Sequence, residues 1–435
     1  MTVNYSKLIG MSADPAMAEN RLEHMLEDAA TKRNIESIPE SSVPAFLNLI
    51  SFSRFLYHFM CRHPDAIQNI GKPIETHKQG MHPVSNIDEL RMYKYHELLK
   101  IAWMDISGIP DYSSVLQFLS SLADLIMNEV FRLVLKNHER EVFDRYLCTF
   151  ALGKLGANEL NFSSDVDLIF VCSNLADVPL DVHEFQETLQ AGIRLVSSQL
   201  EQRTAEGFLY RVDLKLRPWG QSGPLVMSID ETENYYQASS EAWERFAWLR
   251  ARVVTGPTVL GNELKGRLHP FIYKRSLSTD DLDRFFEIKN EMAKARRRKG
   301  YWNVKVGEGG IRDLEFFIQM LQLVNASAHP GLQVTGTLKV LSGLKAVGLV
   351  SDEEASEINH SYLFLRRLEN RLQMFDEQQT HELPDETKRR LIIARSLGLN
   401  GGSSDEILDN FESALAANRT IAKNYFERVL PDKNI

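Results

Sequence analysis

The sequence predicts an α+β protein, predominantly helical, with a compact α/β core between a helical N-terminal region and a C-terminal helical bundle. Three patterns support this. Apolar residues recur at three- and four-residue steps before residue 145, β-like runs follow between residues 147 and 217, and helical spacing then returns. The boundaries read as 1–145 for the N-terminal helices, 146–270 for the core and 271–435 for the bundle.

In "SSVLQFLSSLADLIMNEVFRLVL", Val115, Phe118, Leu119, Leu122, Leu125, Ile126, Val130 and Leu133 form the apolar stripe of an amphipathic helix. "VPAFLNLISFSRFLYHFM" and "IDELRMYKYHELLKIAWM" show the same spacing less regularly, with the loop "GKPIETHKQGMHPVSN" between them. The core opens with "YLCTFALGKLG", a β-like run ending in glycines, followed by a second run, "DVDLIFVC". Helical spacing through Val182, Phe185, Leu189, Ile193, Val196 and Leu200 comes next. "GFLYRVDLKLRP" then alternates, with Phe208, Tyr210, Val212, Leu214 and Leu216 on one side and Leu209, Arg211, Asp213, Lys215 and Arg217 on the other. Pro218 stops that strand. Beyond residue 230 the chain reads as helices: "DDLDRFFEIKNEMAKARRRKG", then "IRDLEFFIQMLQLV" after the loop "KVGEGG", then "EEASEINHSYLFLRRLENRLQMF" and a helical tail past Pro384.

With 435 residues the chain is long enough for two or three domains. Its 43% hydrophobic and 25% charged content is that of a soluble globular protein. A formal net charge of -9 argues against a nucleic-acid partner, which normally needs a basic face, although a local basic groove is compatible with it. Cys61, Cys148 and Cys172 form neither a zinc pattern nor a disulfide framework, and so odd and low a count suits a reducing cytoplasm. The histidines show no H-x-x-x-H pair, so a zinc site is not expected. No signal-like start is visible, and no apolar run reaches the roughly 18 residues a membrane span requires. The expectation is a cytoplasmic protein that engages no membrane.

Chemistry concentrates in three places. In "GKLGANELNFSSD", Gly153 and Gly156 permit close backbone approach to a ligand, and Ser163 and Ser164 offer hydroxyls. Asp165 and Asp167 stand at the period of a strand, so both carboxylates face one side. Asp213 lies on the polar side of the later strand, flanked by Arg211, Lys215 and Arg217. All-oxygen ligation suits Mg²⁺ or Mn²⁺ shared with substrate phosphates, and such ions assist in-line phosphoryl displacement. An acidic turn before a strand, or an exposed antiparallel face, would produce the same residues, so at this point both readings stand. The order of glycine turn, D-x-D and later acidic strand favours a site.

"GKLGANELNFSSDVDLIF" resembles the signature of nucleotidyltransferases related to DNA polymerase β. More narrowly it is similar to the glutamine synthetase adenylyltransferase/adenylyl-removing enzymes. That likeness continues through "YRVDLKLRPWGQSGPLVMS", "WERFAWLRARVV", "ARRRKG", "KVGEGGIRDLEFFIQMLQLV" and "YLFLRRLENRLQMFDEQQTHELP", in the family's order. It is looser at "FLYHFMCRHPDAI" and "LLKIAWMDI". The resemblance implies a polymerase β-like core with a small mixed sheet. It also implies one of two homologous modules: an N-terminal one that removes AMP from a tyrosine of glutamine synthetase, and a C-terminal one that adds it. Arg211 and Arg312 resemble the removing copy, the adding copy carrying an acidic and an apolar residue there, and the Arg296–Lys299 run points the same way.

The reaction implied by the resemblance is phosphorolysis of adenylyl-tyrosine, with Asp165, Asp167 and Asp213 holding Mg²⁺ or Mn²⁺. Arg211, Lys215 and Arg217 would clamp phosphates, and Ser163, Ser164 and the glycine turn would cradle the nucleotide. The implied partners are adenylylated glutamine synthetase, a PII-type signal protein, phosphate and an adenine nucleotide. An ATP-dependent adenylyltransferase and a catalytically silent binding module are the alternatives, and three intact carboxylates speak against the latter. Arg366, Arg367 and Glu369 are expected on a solvated helix face or in interhelical pairs. Asp313 and Glu315 sit near a helix start, where carboxylates are stabilising in any case.

Overall fold

The computed structural model describes residues 5–72, 84–109, 111–274, 287, 291, 302–399 and 401–430. The chain is 66% helical, which bears out the predominantly helical α+β class. The expected helix ending in Arg296–Lys299 lies almost wholly outside the described residues.

Five strands form one mixed sheet: β1 (Leu147–Ala151), β2 (Asp165–Cys172), β3 (Arg211–Asp213), β4 (Val226–Ser228) and β5 (Arg252–Thr255). The order is β3-β2-β1-β5. β2 runs antiparallel to β1, from Leu147↔Cys172 to Ala151↔Leu168, and parallel to β3 and β4. β3 pairs with the first residues of β2 and β4 with the last, so one edge of β2 is covered by two short strands in succession.

Both faces of β2 are buried, which explains its continuous apolar run. Val166, Leu168, Phe170 and Cys172 join a cluster with Leu122 and Ile126 of the N-terminal helices and Leu189 and Ile193 of the core helix Val182–Glu201. Ile169 and Val171 join Phe150, Trp248, Leu264 and Phe316 on the other face. Asp165 and Asp167 belong to that second series by alternation, but they stand at the end of the strand and are only half-buried. The two carboxylates thus extend an inward-facing row beyond its apolar layer.

One expectation needs correction. The alternation over residues 208–217 predicts one strand, yet only Arg211–Asp213 is extended in the sheet. Before it, Phe208, Leu209 and Tyr210 are all buried, and the amides of Leu209 and Tyr210 both donate to the Leu200 carbonyl. After it, Asp213 Oδ1 accepts the Lys215 amide at 2.8 Å, which turns the chain. The apolar stretch 43–62 is two helices, Val43–Phe52 and Arg54–Arg62, parted at Ser53. The Ser53 hydroxyl caps the second helix through the Leu56 amide and donates to the Met374 carbonyl.

The C-terminal helices Ile311–Asn325, Thr337–Ala346, Asp352–Met374 and Ser404–Glu427 pack around a further cluster that includes Ile318, Tyr362, Leu365 and Phe411. A two-stranded ribbon, β6 (Trp302–Asn303) with β7 (Glu382–Leu383), ties the start of this region to the segment that follows the Asp352–Met374 helix. No helix among the described residues is long and apolar enough to cross a membrane.

Candidate active site

The parallel register of β2 and β3 places Asp165 beside Arg211 and Asp167 beside Asp213. Paired positions in a parallel ladder share a face, so the three carboxylates and Arg211 form one patch at the N-terminal end of β2. Arg211 Nε donates to Asp165 Oδ1 at 2.6 Å, and Gln379 Nε2 donates to Asp165 Oδ2 at 2.9 Å. Lys215 Nζ pairs with Asp213 Oδ2 at 3.0 Å. Burial pushes the Asp167 carboxyl up to about 6; Lys305 and Arg312 pull it down, while Asp213 and Asp165 add to the rise.

Gly153 has φ +56°, and a Cβ there would lie 2.1 Å from Asp167 Oδ2. Its backbone therefore approaches the site as only glycine can. Gly156 serves packing instead, since a Cβ on it would meet the Arg250 carbonyl oxygen at 2.1 Å. The two glycines bound a single helical turn, Gly153–Gly156.

The loop from Ala157 to Ser164 is pinned by one face of the Asp352–Met374 helix, through residues Arg366, Glu369, Asn370 and Gln373. Arg366 donates to the Glu159 carbonyl and to Asn161 Oδ1. Asn161 donates to Glu369 at 2.5 Å, Asn370 Oδ1 accepts the Phe162 amide at 2.8 Å, and Gln373 Oε1 accepts the Ser163 amide at 3.0 Å. Arg366 and Glu369 are fully buried, which corrects the solvated-face reading; they pair with each other along the helix, and Arg367 pairs across to Asp105 of the helix Ile87–Ser107. Lys154, between the two glycines, pairs with Glu369 at 2.7 Å, and His381 pairs with the same carboxylate at 2.8 Å. Burial lowers the Lys154 ammonium to about 7 against the pull of Glu369.

Glu315 is likewise buried. Burial alone would raise its carboxyl, but Arg250 at 3.1 Å and Arg312 at 3.1 Å outweigh that and hold it at about 2. Asp313 accepts the Gly309 amide at 2.8 Å, closing the glycine loop onto its helix.

The structure thus gathers Gly153, Asp165, Asp167, Arg211, Asp213 and Lys215 at one sheet edge. Ser163 stands beside them, its hydroxyl donating to the Glu377 carbonyl and accepting from Arg211. The Ser164 hydroxyl accepts the Asn161 amide inside the loop. Arg217 spends its donors on the carbonyls of Leu214, Gln221 and Gly223, which holds the turn after β3. Lys154, Lys305 and His381 are nearby ionisable groups that sequence reading did not single out, and Glu369 was read only as a surface or interhelical residue. All four fall inside segments whose family likeness was visible, but nothing in their spacing announces a shared location.

Among the described residues, no three His, Cys, Asp or Glu side chains stand together as a ready cation cage. Asp165 and Asp213 are turned toward Arg211 and Lys215 instead. The donor set still fits a hard divalent ion: it is all oxygen, and the mutual repulsion written into the Asp167 carboxyl is what such an ion relieves.

A family model described as glutamate-ammonia ligase adenylyltransferase matches residues 44–266. The chain belongs to the glutamate-ammonia ligase adenylyltransferase family. The matched span contains β1 to β5 and every candidate residue from Gly153 to Arg217. A second model, described as GlnD PII-uridylyltransferase, matches residues 284–430. Curated relatives named bifunctional glutamine synthetase adenylyltransferase/adenylyl-removing enzyme share the family. That of Thioalkalivibrio sulfidiphilus is 38% identical, covering 78% of this chain and 36% of the relative. That of Stenotrophomonas maltophilia is 34% identical, covering 83% and 41%, and that of Nitrosococcus oceani is 31% identical, covering 95% and 46%. The chain therefore spans less than half the length of these relatives.

Proposed function

We propose that this chain is a nucleotidyltransferase acting on glutamine synthetase, in the direction that removes AMP from its tyrosine. The observation that carries the reading is the register that sets Asp167 abreast of Asp213, with Asp165 two residues before on the same face. In the proposed reaction an oxygen of hydrogen phosphate attacks the α-phosphorus of adenylyl-tyrosine. The bond from phosphorus to the tyrosine oxygen breaks, the phosphate proton passes to that oxygen, and ADP leaves with the tyrosine restored. Arg211 and Arg312, which resemble the removing copy of the family, support the direction.

Asp165, Asp167 and Asp213 would hold Mg²⁺ or Mn²⁺. When bound, that ion supplies charge neutralisation at the phosphoryl oxygens. Gly153 leaves the space in which the Asp167 carboxylate stands. Arg211 and Lys215, paired here with Asp165 and Asp213, would supply charge to phosphoryl oxygens, Arg through a planar fork and Lys as a point charge. Because the nucleophile is already anionic, positioning and charge matter more than a general base. The proposed partners are adenylylated glutamine synthetase and a PII-type signal protein, the latter in keeping with the uridylyltransferase-like match, in a cytoplasmic setting.

Incubation with adenylylated glutamine synthetase, Mg²⁺ and inorganic phosphate should release ADP. Asp167→Asn should slow release by about 100-fold or more, the scale on which charge stabilisation at a reacting centre acts. Consumption of ATP onto unmodified synthetase, with no ADP from the adenylylated form, would instead establish the adding reaction. A stable complex without turnover would establish a binding module.

A further inference from the structure

Within electrostatic reach of Asp167 lie the glycine loop and the first turn of the Ile311–Asn325 helix. Lys305 lies in that loop, and its carbonyl accepts the Arg312 amide at 2.9 Å, so the two cationic side chains leave neighbouring points of the backbone. The loop is anchored on its other side by the Val304 amide, which donates to the His381 carbonyl at 2.7 Å.

The Lys305 ammonium is within electrostatic reach of Asp167, Glu315, Glu369 and Arg312. No hydrogen bond or ion pair engages its Nζ among the described residues. Two of the three carboxylates near it already have cationic company: Glu369 has Lys154 and His381, and Glu315 has Arg250 and Arg312. Arg312 gives one nitrogen to Glu315, while its Nε is buried with no partner. A buried donor without a partner is costly and marks a place where something else binds. By contrast, the donors of Arg211, Lys215 and Arg217 are engaged by Asp165, Asp213 and backbone carbonyls. Lys305 and Arg312 are thus the cations near Asp167 that keep an unengaged donor among the described residues.

We propose that Lys305 and Arg312 seat a phosphate dianion, the inorganic phosphate that attacks the adenylyl group, beside the carboxylate patch. This rests on the removing reaction proposed above and deepens it by naming where its second substrate binds. The shared chemistry is a phosphoryl dianion, which either free phosphate or the phosphate of AMP supplies. A half-buried ammonium and an unpaired guanidinium nitrogen supply charge-assisted hydrogen bonds to its oxygens. The Asp167 carboxylate nearby would repel it unless a divalent cation intervenes, so ion and phosphate would bind cooperatively.

The test uses the full chain, with Lys305→Met and Lys305→Arg variants checked for unchanged thermal melting. Inorganic phosphate, and separately AMP, are titrated with ³¹P NMR, with and without Mg²⁺. Steady-state ADP release then gives KM for phosphate and for adenylylated synthetase. The expected result is weaker phosphate binding and a KM for phosphate raised by about 10-fold or more in Lys305→Met, the loss of one charge-assisted bond. KM for the adenylylated protein should be unchanged, and Lys305→Arg should restore most of the binding. Equal phosphate binding by wild type and Lys305→Met, or no binding by either, overturns the inference. So does a loss confined to AMP, which would give these cations to the nucleotide. Lys305-dependent phosphate binding without ADP release would uphold the anion site while removing the phosphorolysis reading.

Discussion

Gly153 shows how one missing carbon shapes the site. Its left-handed φ and the 2.1 Å approach of Asp167 Oδ2 to where a Cβ would be have the same consequence: any side chain there moves the carboxylate. Gly153→Ala should cost about 1–2 kcal/mol of stability through the backbone alone. Activity should fall further than that, by up to about 100-fold, because a displacement near 1 Å at a reacting centre has that effect. Gly156→Ala strikes backbone rather than site, at the Arg250 and Ala151 carbonyls, and should cost about 1–3 kcal/mol as overpacking does. Urea unfolding with ADP release per folded molecule separates the two: the Gly153 variant loses specific activity, whereas the Gly156 variant loses stability. The two glycines look alike in the sequence, because spacing reports that a turn is tight and not what crowds it.

The helix Asp352–Met374 joins the bundle to the core, and over its last turns its polar face is as buried as its apolar one. Residues Arg366, Glu369, Asn370 and Gln373 follow helical spacing and together satisfy the loop from Glu159 to Ser163. Glu369 is the hub, met by Lys154, Asn161, His381 and Arg366. Removing its charge leaves buried cations without compensation, so Glu369→Gln should destabilise by about 3–5 kcal/mol in urea unfolding. A change below about 1 kcal/mol, the range of surface pairs, would show that the hub is solvated after all. A polar stripe on a long helix ordinarily reads as a wet face. Only a loop rich in unpaired amides, packed against that stripe, makes burial favourable, and the loop lies some two hundred residues away in the chain.

Arg250, just ahead of β5, and Glu315, in the helix after the glycine loop, carry ionic contact between the core and the C-terminal region, with Arg312 on the same carboxylate. Glu315 ionises at about 2 in the folded chain against an ordinary 4.5. A depressed carboxyl adds stability that is fully present above 4.5 and disappears as pH falls toward 2. The stability difference between wild type and Glu315→Gln should therefore be largest above pH 5 and shrink between 4.5 and 2. Unfolding free energies measured across that range test it, and a constant difference would mean that Glu315 is not held by Arg250 and Arg312.

The sequence by itself determined the class of the fold, the position of the β-like runs and the carboxylates of the candidate site. These come from local periodicity and from residue chemistry, which neighbours in the chain carry unaided. Asp165 and Asp167 share a face because strands repeat every two residues, and no tertiary fact is needed to say so. Tertiary structure decided the rest. It cut the strand of residues 208–217 to Arg211–Asp213, because the Leu200 carbonyl and the Asp213 carboxylate capture the flanking amides. It set Asp213 abreast of Asp167, since a parallel register depends on a crossover and not on either strand's own pattern. It brought Lys154, Lys305, Glu369 and His381 together from three distant segments. Electrostatic interaction acts through space, so the charges that set a site's chemistry are visible only once the chain has closed around them.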